Sequence, residues 1–172
     1  MFTATYLFLD FDGVTHPWGG VEDFRCLPLF EEVLREFDEA RVVITSDWRM
    51  LFSIAKLKSR FAEDVRARVV GATPHLLAKQ GAELPGLREK EARLWLSQHG
   101  NHGAPWLAID DAPGNWVTRS RLILTDFKRG FLEEDAAATR RLLTRLRDGS
   151  FREYGAPQTE GGWLHPIHRQ TR

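Results

Sequence analysis

The sequence predicts an α/β sandwich around a mostly parallel sheet, and three observations lead there. Short apolar runs of strand length alternate with stretches whose apolar residues recur at helical spacing, the pattern of repeated strand–helix–strand units. The first run, Ala4 to Leu9, is nearly continuous in apolar residues, as expected of a strand covered on both faces. Successive runs end in side chains able to do chemistry: Asp10 and Asp12, then Thr45 and Ser46, then Asp110 and Asp111. In open parallel sheets, ligands gather beyond the carboxyl ends of the strands.

At 172 residues the chain is long enough for one domain with a substantial core and short for two. Hydrophobic residues make up 42% and charged residues 28%, the balance of an ordinary folded protein rather than a disordered or membrane one. Lys and Arg number 24 against 24 Asp and Glu, so no net field draws the whole molecule to nucleic acid or an anionic surface. The single Cys26 excludes an internal disulfide and a cysteine-only zinc cluster, which fits a reducing compartment. No basic segment precedes a long apolar stretch near Met1, so the expectation is a cytoplasmic protein with no membrane partner.

After the first strand, Gly13 permits a sharp turn, and Thr15-His16-Pro17-Trp18-Gly19-Gly20 reads as a loop or small flap. Leu29, Phe30, Val33, Leu34 and Phe37 predict an amphipathic helix over residues 27–40, with Glu31, Glu32, Arg35 and Glu36 on a solvated face. Arg41 to Thr45 reads as a second buried strand, and Ser46 or Asp47 as the cap of a helix that follows. That helix is expected from Met50 to Phe61, and Arg68-Val69-Val70 as a short strand. Gly81 to Gly86, with Pro85, reads as a loop, and Arg88 to Gln98 as a helix turning Ala92, Trp95 and Leu96 inward. Pro105 to Ile109 and Arg121 to Thr125 are further strands. Glu133 to Arg147 is the last helix, with its acidic first turn favourably placed and Ala138, Leu142, Leu143 and Leu146 on one face. Residues 1–148 form the domain and 149–172 a C-terminal extension.

The stretch Leu7-Phe8-Leu9-Asp10-Phe11-Asp12-Gly13 organises the chemistry. Side chains alternate along extended chain, so Asp10 and Asp12 can project to one side at the end of the strand. Two such carboxylates repel unless a cation bridges them or one is protonated, which makes the pair a hard-metal site or an acid–base dyad. Turn-forming aspartates share this pattern when it stands alone.

The later strand ends, with Arg88 and Lys90 shortly before the last, complete a set that resembles the haloacid dehalogenase (HAD) superfamily of phosphohydrolases. A closer likeness, over most of residues 6–146, is to the small HAD domain associated with Swiss Army Knife RNA repair proteins. It rests on Asp-Phe-Asp-Gly-Val-Thr-His-Pro, Thr-Ser-Asp-Trp-Arg, the helix with Arg88, Glu91, Ala92, Trp95 and Leu96, Ile109-Asp110-Asp111, Leu124-Thr125-Asp126 and Gly130-Phe131. The resemblance implies a three-layer Rossmannoid sandwich. The stretches from Asp12 to Thr45 and from Thr45 to Lys90 are taken up by predicted elements, leaving room for a minimal cap or none.

The resemblance further implies that Asp10 is the nucleophile and forms an aspartyl-phosphate, with Asp12 as acid and then base. Thr45, or Ser46 in its place, would hold a phosphate oxygen, and Lys90 or Arg88 would neutralise the transferring group. Mg²⁺ would be held by Asp10, the Asp12 backbone carbonyl and Asp111 or Asp110, an oxygen-only set suited to it. His16, Trp18, Trp48 and Arg49 flank the site from two loops, where they could contact a base, sugar or phosphate. His99, His102, His165 and His168 lack cysteine partners and read as non-ligands. The implied function is Mg²⁺-dependent phosphomonoester hydrolysis on nucleic-acid ends or nucleotides, with RNA-repair proteins as partners. A phosphoprotein phosphatase and a non-catalytic phosphate- or RNA-binding domain stay open as alternatives.

Overall fold

The computed structural model describes residues 4–76 and 85–153. Five strands, β1 (Thr5–Leu9), β2 (Ala40–Ile44), β3 (Val69–Ala72), β4 (Trp106–Asp110) and β5 (Leu122–Leu124), form one sheet in the order β3-β2-β1-β4-β5. Every neighbouring pair is parallel. The sheet reverses direction of growth at β1, so the crevice beyond the carboxyl end of β1 is the topological switch point where such folds bind ligands.

Strand alternation distributes the core. Leu7 and Leu9 of β1, with Val42, Ile44, Leu107 and Ile109, face a layer built from α1 (Leu27–Glu36) and α5 (Glu133–Arg147). Tyr6 and Phe8 face the other way, against Ala92, Trp95 and Leu96 of α4 (Leu87–Gln98) and against Trp106 and Trp116. The chain is therefore the expected three-layer sandwich, with an aromatic layer under α4 in which Phe8 meets Trp95, Trp106 and Trp116 at ring centroids 6.0 to 6.4 Å apart.

Three expectations are corrected. The first helix ends at Glu36 rather than 40, because Ala40 already pairs with Thr5 and the chain must extend to enter the sheet. Within that helix Glu31 is buried rather than solvated, accepting a hydrogen bond from the Ala62 N–H at 2.7 Å. The span 50–61, expected as one helix, holds only the short α2 (Ile54–Lys58), between a tight helical turn, Asp47–Met50, and a further short helix, α3 (Glu63–Arg66). Ser53 caps α2 by accepting from Lys56 N–H, a restart that competes with continuing the previous turn. Among the described residues no cap domain is inserted, and no helix is long and apolar enough to cross a membrane. Residues 81–84 of the predicted loop, most of the predicted C-terminal extension, and His165 and His168 lie outside the described residues.

Candidate active site

The parallel ladder continues one residue past each strand end. Thr45 N–H donates to Leu9 O at 2.9 Å, Asp10 N–H to Ile109 O at 3.1 Å, and Thr73 N–H to Ile44 O at 2.9 Å. Since Leu9 is in register with both Ile44 and Ile109, Asp10 sits between Thr45 on β2 and Asp110 on β4. The three strand ends that sequence analysis singled out are thus brought side by side.

Asp10, Asp110 and Asp111 each offer a carboxylate oxygen, and these oxygens lie within 4.8 Å of one another. Burial pushes the Asp10 carboxyl up to about 7, helped by the charges of Asp110 and Asp111 and opposed by the Phe11 N–H bond and Arg88. Burial likewise raises Asp110, to about 6, against the opposing hydrogen bonds that it accepts from Trp116 Nε1 at 2.9 Å and from Ala112 N–H at 2.7 Å. Asp111 is raised by burial and by Asp12. Three carboxylates crowded at this cost, in a set made only of oxygen donors, fit a hard divalent cation such as Mg²⁺. Both oxygens of Asp110 already accept from protein donors, whereas Asp111 lies over the turn after Asp12. A Cβ on Gly13 would come within 2.3 Å of Asp111 Oδ2, and Gly13 holds φ at +71°, so glycine there makes room for this carboxylate.

Asp12 is held at both oxygens. His16 Nε2 lies 3.0 Å from Oδ1, and Trp48 Nε1 donates to Oδ2 at 2.9 Å. His16 is buried and also meets Thr15 Oγ1 at 3.2 Å, so it is part of the wall behind Asp12 rather than a group free to touch substrate. Trp48 is buried against Phe11 and Phe24 and is likewise not a stacking surface.

Arg49 is likewise bonded within the protein. Its side chain is only 3% exposed, with Nε donating to Thr73 O at 3.1 Å, Nη1 to Ser46 O at 2.9 Å and to Thr45 O, and Nη2 to Glu91 at 2.8 Å. It ties the ends of β2 and β3 together. Ser46 caps the following turn, its Oγ accepting from Trp48 N–H at 3.4 Å. The Thr45 hydroxyl, by contrast, is buried with no hydrogen-bond partner among the described residues. An unpaired buried hydroxyl costs about 1–3 kcal/mol, a cost shared by Thr73 Oγ1 at the next strand end and one that a bound oxygen at this edge would relieve.

Arg88 and Lys90 differ by helix phase. Two residues turn a helix by roughly 200°, so the two side chains leave α4 on nearly opposite sides. Arg88 lies toward the site, bonded to Asp47 at 2.8 Å and Glu91 at 3.3 Å, and its field lowers the pKa of Asp10. Lys90 is exposed and makes no ion pair among the described residues.

Several supporting residues had a place in the sequence only through the family likeness, with no role attached. Glu91 is fully buried and accepts from Arg49, Arg88 and Leu76 N–H. Thr125 Oγ1 donates to Gly13 O at 2.8 Å and Phe131 N–H to Val14 O at 2.7 Å, which clamps the loop after Asp12 from the β5 side. The contacts of Glu91, Thr125 and Phe131 join segments far apart in the chain, which no local pattern announces.

A family model described as HAD domain in Swiss Army Knife RNA repair proteins matches residues 6–136. No curated protein and no solved structure matches the chain significantly. The matched span runs from β1 into α5 and contains all the strand ends that form the site. The chain belongs to the family of HAD domains found in Swiss Army Knife RNA repair proteins.

Proposed function

We propose that this domain is a Mg²⁺-dependent phosphomonoester hydrolase that works through an aspartyl-phosphate on Asp10, with nucleic-acid ends or nucleotides as substrates. The observation that carries the reading is the row at the switch point: an Asp10 carboxylate between the orphaned Thr45 hydroxyl and the Asp110–Asp111 pair. A cation there would be held by Asp10, the Asp12 carbonyl and Asp111, with Asp110 orienting the group. When bound, it would offset the repulsion among the carboxylates and charge on the phosphoryl oxygens.

The chain's own residues supply the remainder. Asp10 attacks phosphorus, and Asp12 gives a proton to the departing ester oxygen, held for that transfer by His16 and Trp48. Asp12 then takes a proton from the water that attacks the acyl phosphate, freeing Asp10 and inorganic phosphate. Thr45 Oγ1 donates to a phosphoryl oxygen, and Arg88 balances the charge on that group. The absence of a cap domain among the described residues leaves the crevice open, which suits a phosphate displayed on a polymer.

Phosphate release from 3′- and 5′-phosphorylated oligonucleotides, mononucleotides and a phosphopeptide, with and without Mg²⁺, tests the reading against Asp10→Asn. Metal-dependent release that the substitution abolishes is expected, on the nucleotide members of the panel. Preference for the phosphopeptide would move the substrate to phosphoproteins. Binding without release would make the domain a phosphate- or RNA-binding module.

A further inference from the structure

Trp18 is 63% exposed and Phe127 is 43% exposed, although the two rings meet with centroids 6.4 Å apart and planes inclined at 68°. Large aromatic side chains left in water singly are unremarkable, but this pair is ordered by its backbone. Trp18 N–H donates to Phe127 O at 2.8 Å, and the loop carrying Phe127 closes on itself through Gly130 N–H to Asp126 O, also at 2.8 Å. Both loops belong to the candidate site. Trp18 lies in the loop that begins at Asp12, and Phe127 lies in the loop that clamps Gly13 and Val14.

The charge beside the pair is cationic and uncommitted. Lys128 Nζ stands 5.5 Å from the centre of the Phe127 ring and forms no ion pair among the described residues. Of the acidic groups in these two loops, Asp23 pairs with Arg25 at 3.1 Å and Asp126 accepts from the Lys128 backbone N–H at 2.9 Å, which turns that carboxylate back onto its own loop. An exposed aromatic face with an available cation, on the rim of a phosphate site, matches the requirements of a base joined to a phosphate: a π surface to stack on and a positive charge for the backbone. A π face and a cation side by side favour a ligand that joins a planar ring to a negative charge over one that offers apolar area alone.

We propose that Trp18 and Phe127 form a stacking platform for the nucleobase adjoining the reacting phosphate, with Lys128 placed for the next phosphate of a single strand. The proposal rests on the hydrolase reading for the identity of the neighbouring site, and its test is a binding measurement that does not need turnover.

The measurement is the affinity of a fluorescently labelled, 3′-phosphorylated single-stranded oligoadenylate for Asp10→Asn protein, alone and combined with Trp18→Ala, Trp18→Phe or Lys128→Ala. Competition by adenosine 3′-monophosphate and by base-free ribose 5-phosphate is read in parallel. Stacking predicts that Trp18→Ala weakens oligonucleotide binding about ten-fold, that Trp18→Phe retains most of it, and that the preference for base-bearing over base-free competitors collapses. Lys128→Ala weakens the oligonucleotide but not the mononucleotide if a strand is the ligand, and neither if a mononucleotide is. Unchanged oligonucleotide affinity in Trp18→Ala at an unchanged melting temperature overturns the platform, even if the wild type proves a hydrolase. A change of oligomeric state in Trp18→Ala without loss of affinity overturns it in favour of a protein contact. Loss of binding on Trp18→Ala in a protein with no turnover supports the platform and removes the hydrolase reading alone.

Discussion

Trp48 Nε1 donates to Asp12 Oδ2 at 2.9 Å, so a residue from the turn after β2 aims the carboxylate proposed as the acid and base of the reaction. His16 holds the other oxygen, which leaves Asp12 little rotational freedom and a side chain still 36% exposed toward the crevice. Restraint of this kind is what positions a proton donor for a leaving group.

Trp48→Phe keeps the aromatic packing against Phe11 and Phe24 but removes the indole donor. Losing a hydrogen bond to a charged group is worth about 1.5 kcal/mol, or roughly ten-fold in rate. The expected outcome is a fall of that size in kcat with KM unchanged, measured by phosphate release at saturating substrate. A rise in KM alone would show that Trp48 serves binding instead.

Helix phase distinguishes the two basic residues of α4. Arg88→Ala removes the cation whose field reaches Asp10, and turnover should fall by roughly a hundred-fold or more. Lys90→Ala, on the exposed side, should leave turnover within about two-fold. Parallel steady-state assays of the two variants decide the assignment, and the reverse ranking would return the role to Lys90.

Asp10 couples activity to stability with opposite signs. Its folded-state pKa, raised to about 7 from the ordinary 3.8, means that the fold favours the protonated acid. That contribution is fully present below the ordinary value and is lost as pH rises through about 7. In chelator, Asp10→Asn should therefore match the wild type at pH 4 and exceed it at pH 8, by up to about 4 kcal/mol in urea unfolding, since no buried charge has to form. The same variant should release no phosphate. Mg²⁺ should raise the wild-type melting temperature more at pH 8 than at pH 5, because carboxylates must be ionised to hold it.

Gly13→Ala tests the seat of Asp111. The added methyl would meet Asp111 Oδ2 at 2.3 Å on a backbone already at φ +71°. The left-handed conformation costs a non-glycine residue about 1–2 kcal/mol, and the carboxylate has to move. The expected outcome is loss of the Mg²⁺-induced rise in melting temperature together with turnover. Retention of both would show that Asp111 does not contribute to the cation site.

Much of the architecture was legible in the residue order. The continuous apolar run of β1 and the 3.6-residue periodicity of α1 and α5 are local properties, and they specify a strand, two helices and the faces each must bury. Strand ends also announce themselves: Asp10, Thr45 and Asp110 follow their apolar runs directly, and a parallel sheet can only bring such ends to one edge. Where local preference was weak, as between Met50 and Phe61, the Ser53 cap and the demands of packing broke one expected helix into pieces.

Direction and commitment of side chains were decided only by the tertiary structure. Arg49, Arg88 and Lys90 are alike in charge and lie near one another in the fold, yet Arg49 is spent on Thr45, Ser46, Thr73 and Glu91, Arg88 reaches the field of Asp10, and Lys90 stays in water. His16 and Trp48 likewise pass from candidate substrate contacts to supports of Asp12. Hydrogen bonds between segments distant in sequence, such as Thr125 to Gly13, leave no periodic trace, because they depend on which groups the packed sheet happens to bring within about 3 Å. Spacing determined which polar side chains end the strands; burial and register decided which of their atoms are left without a partner.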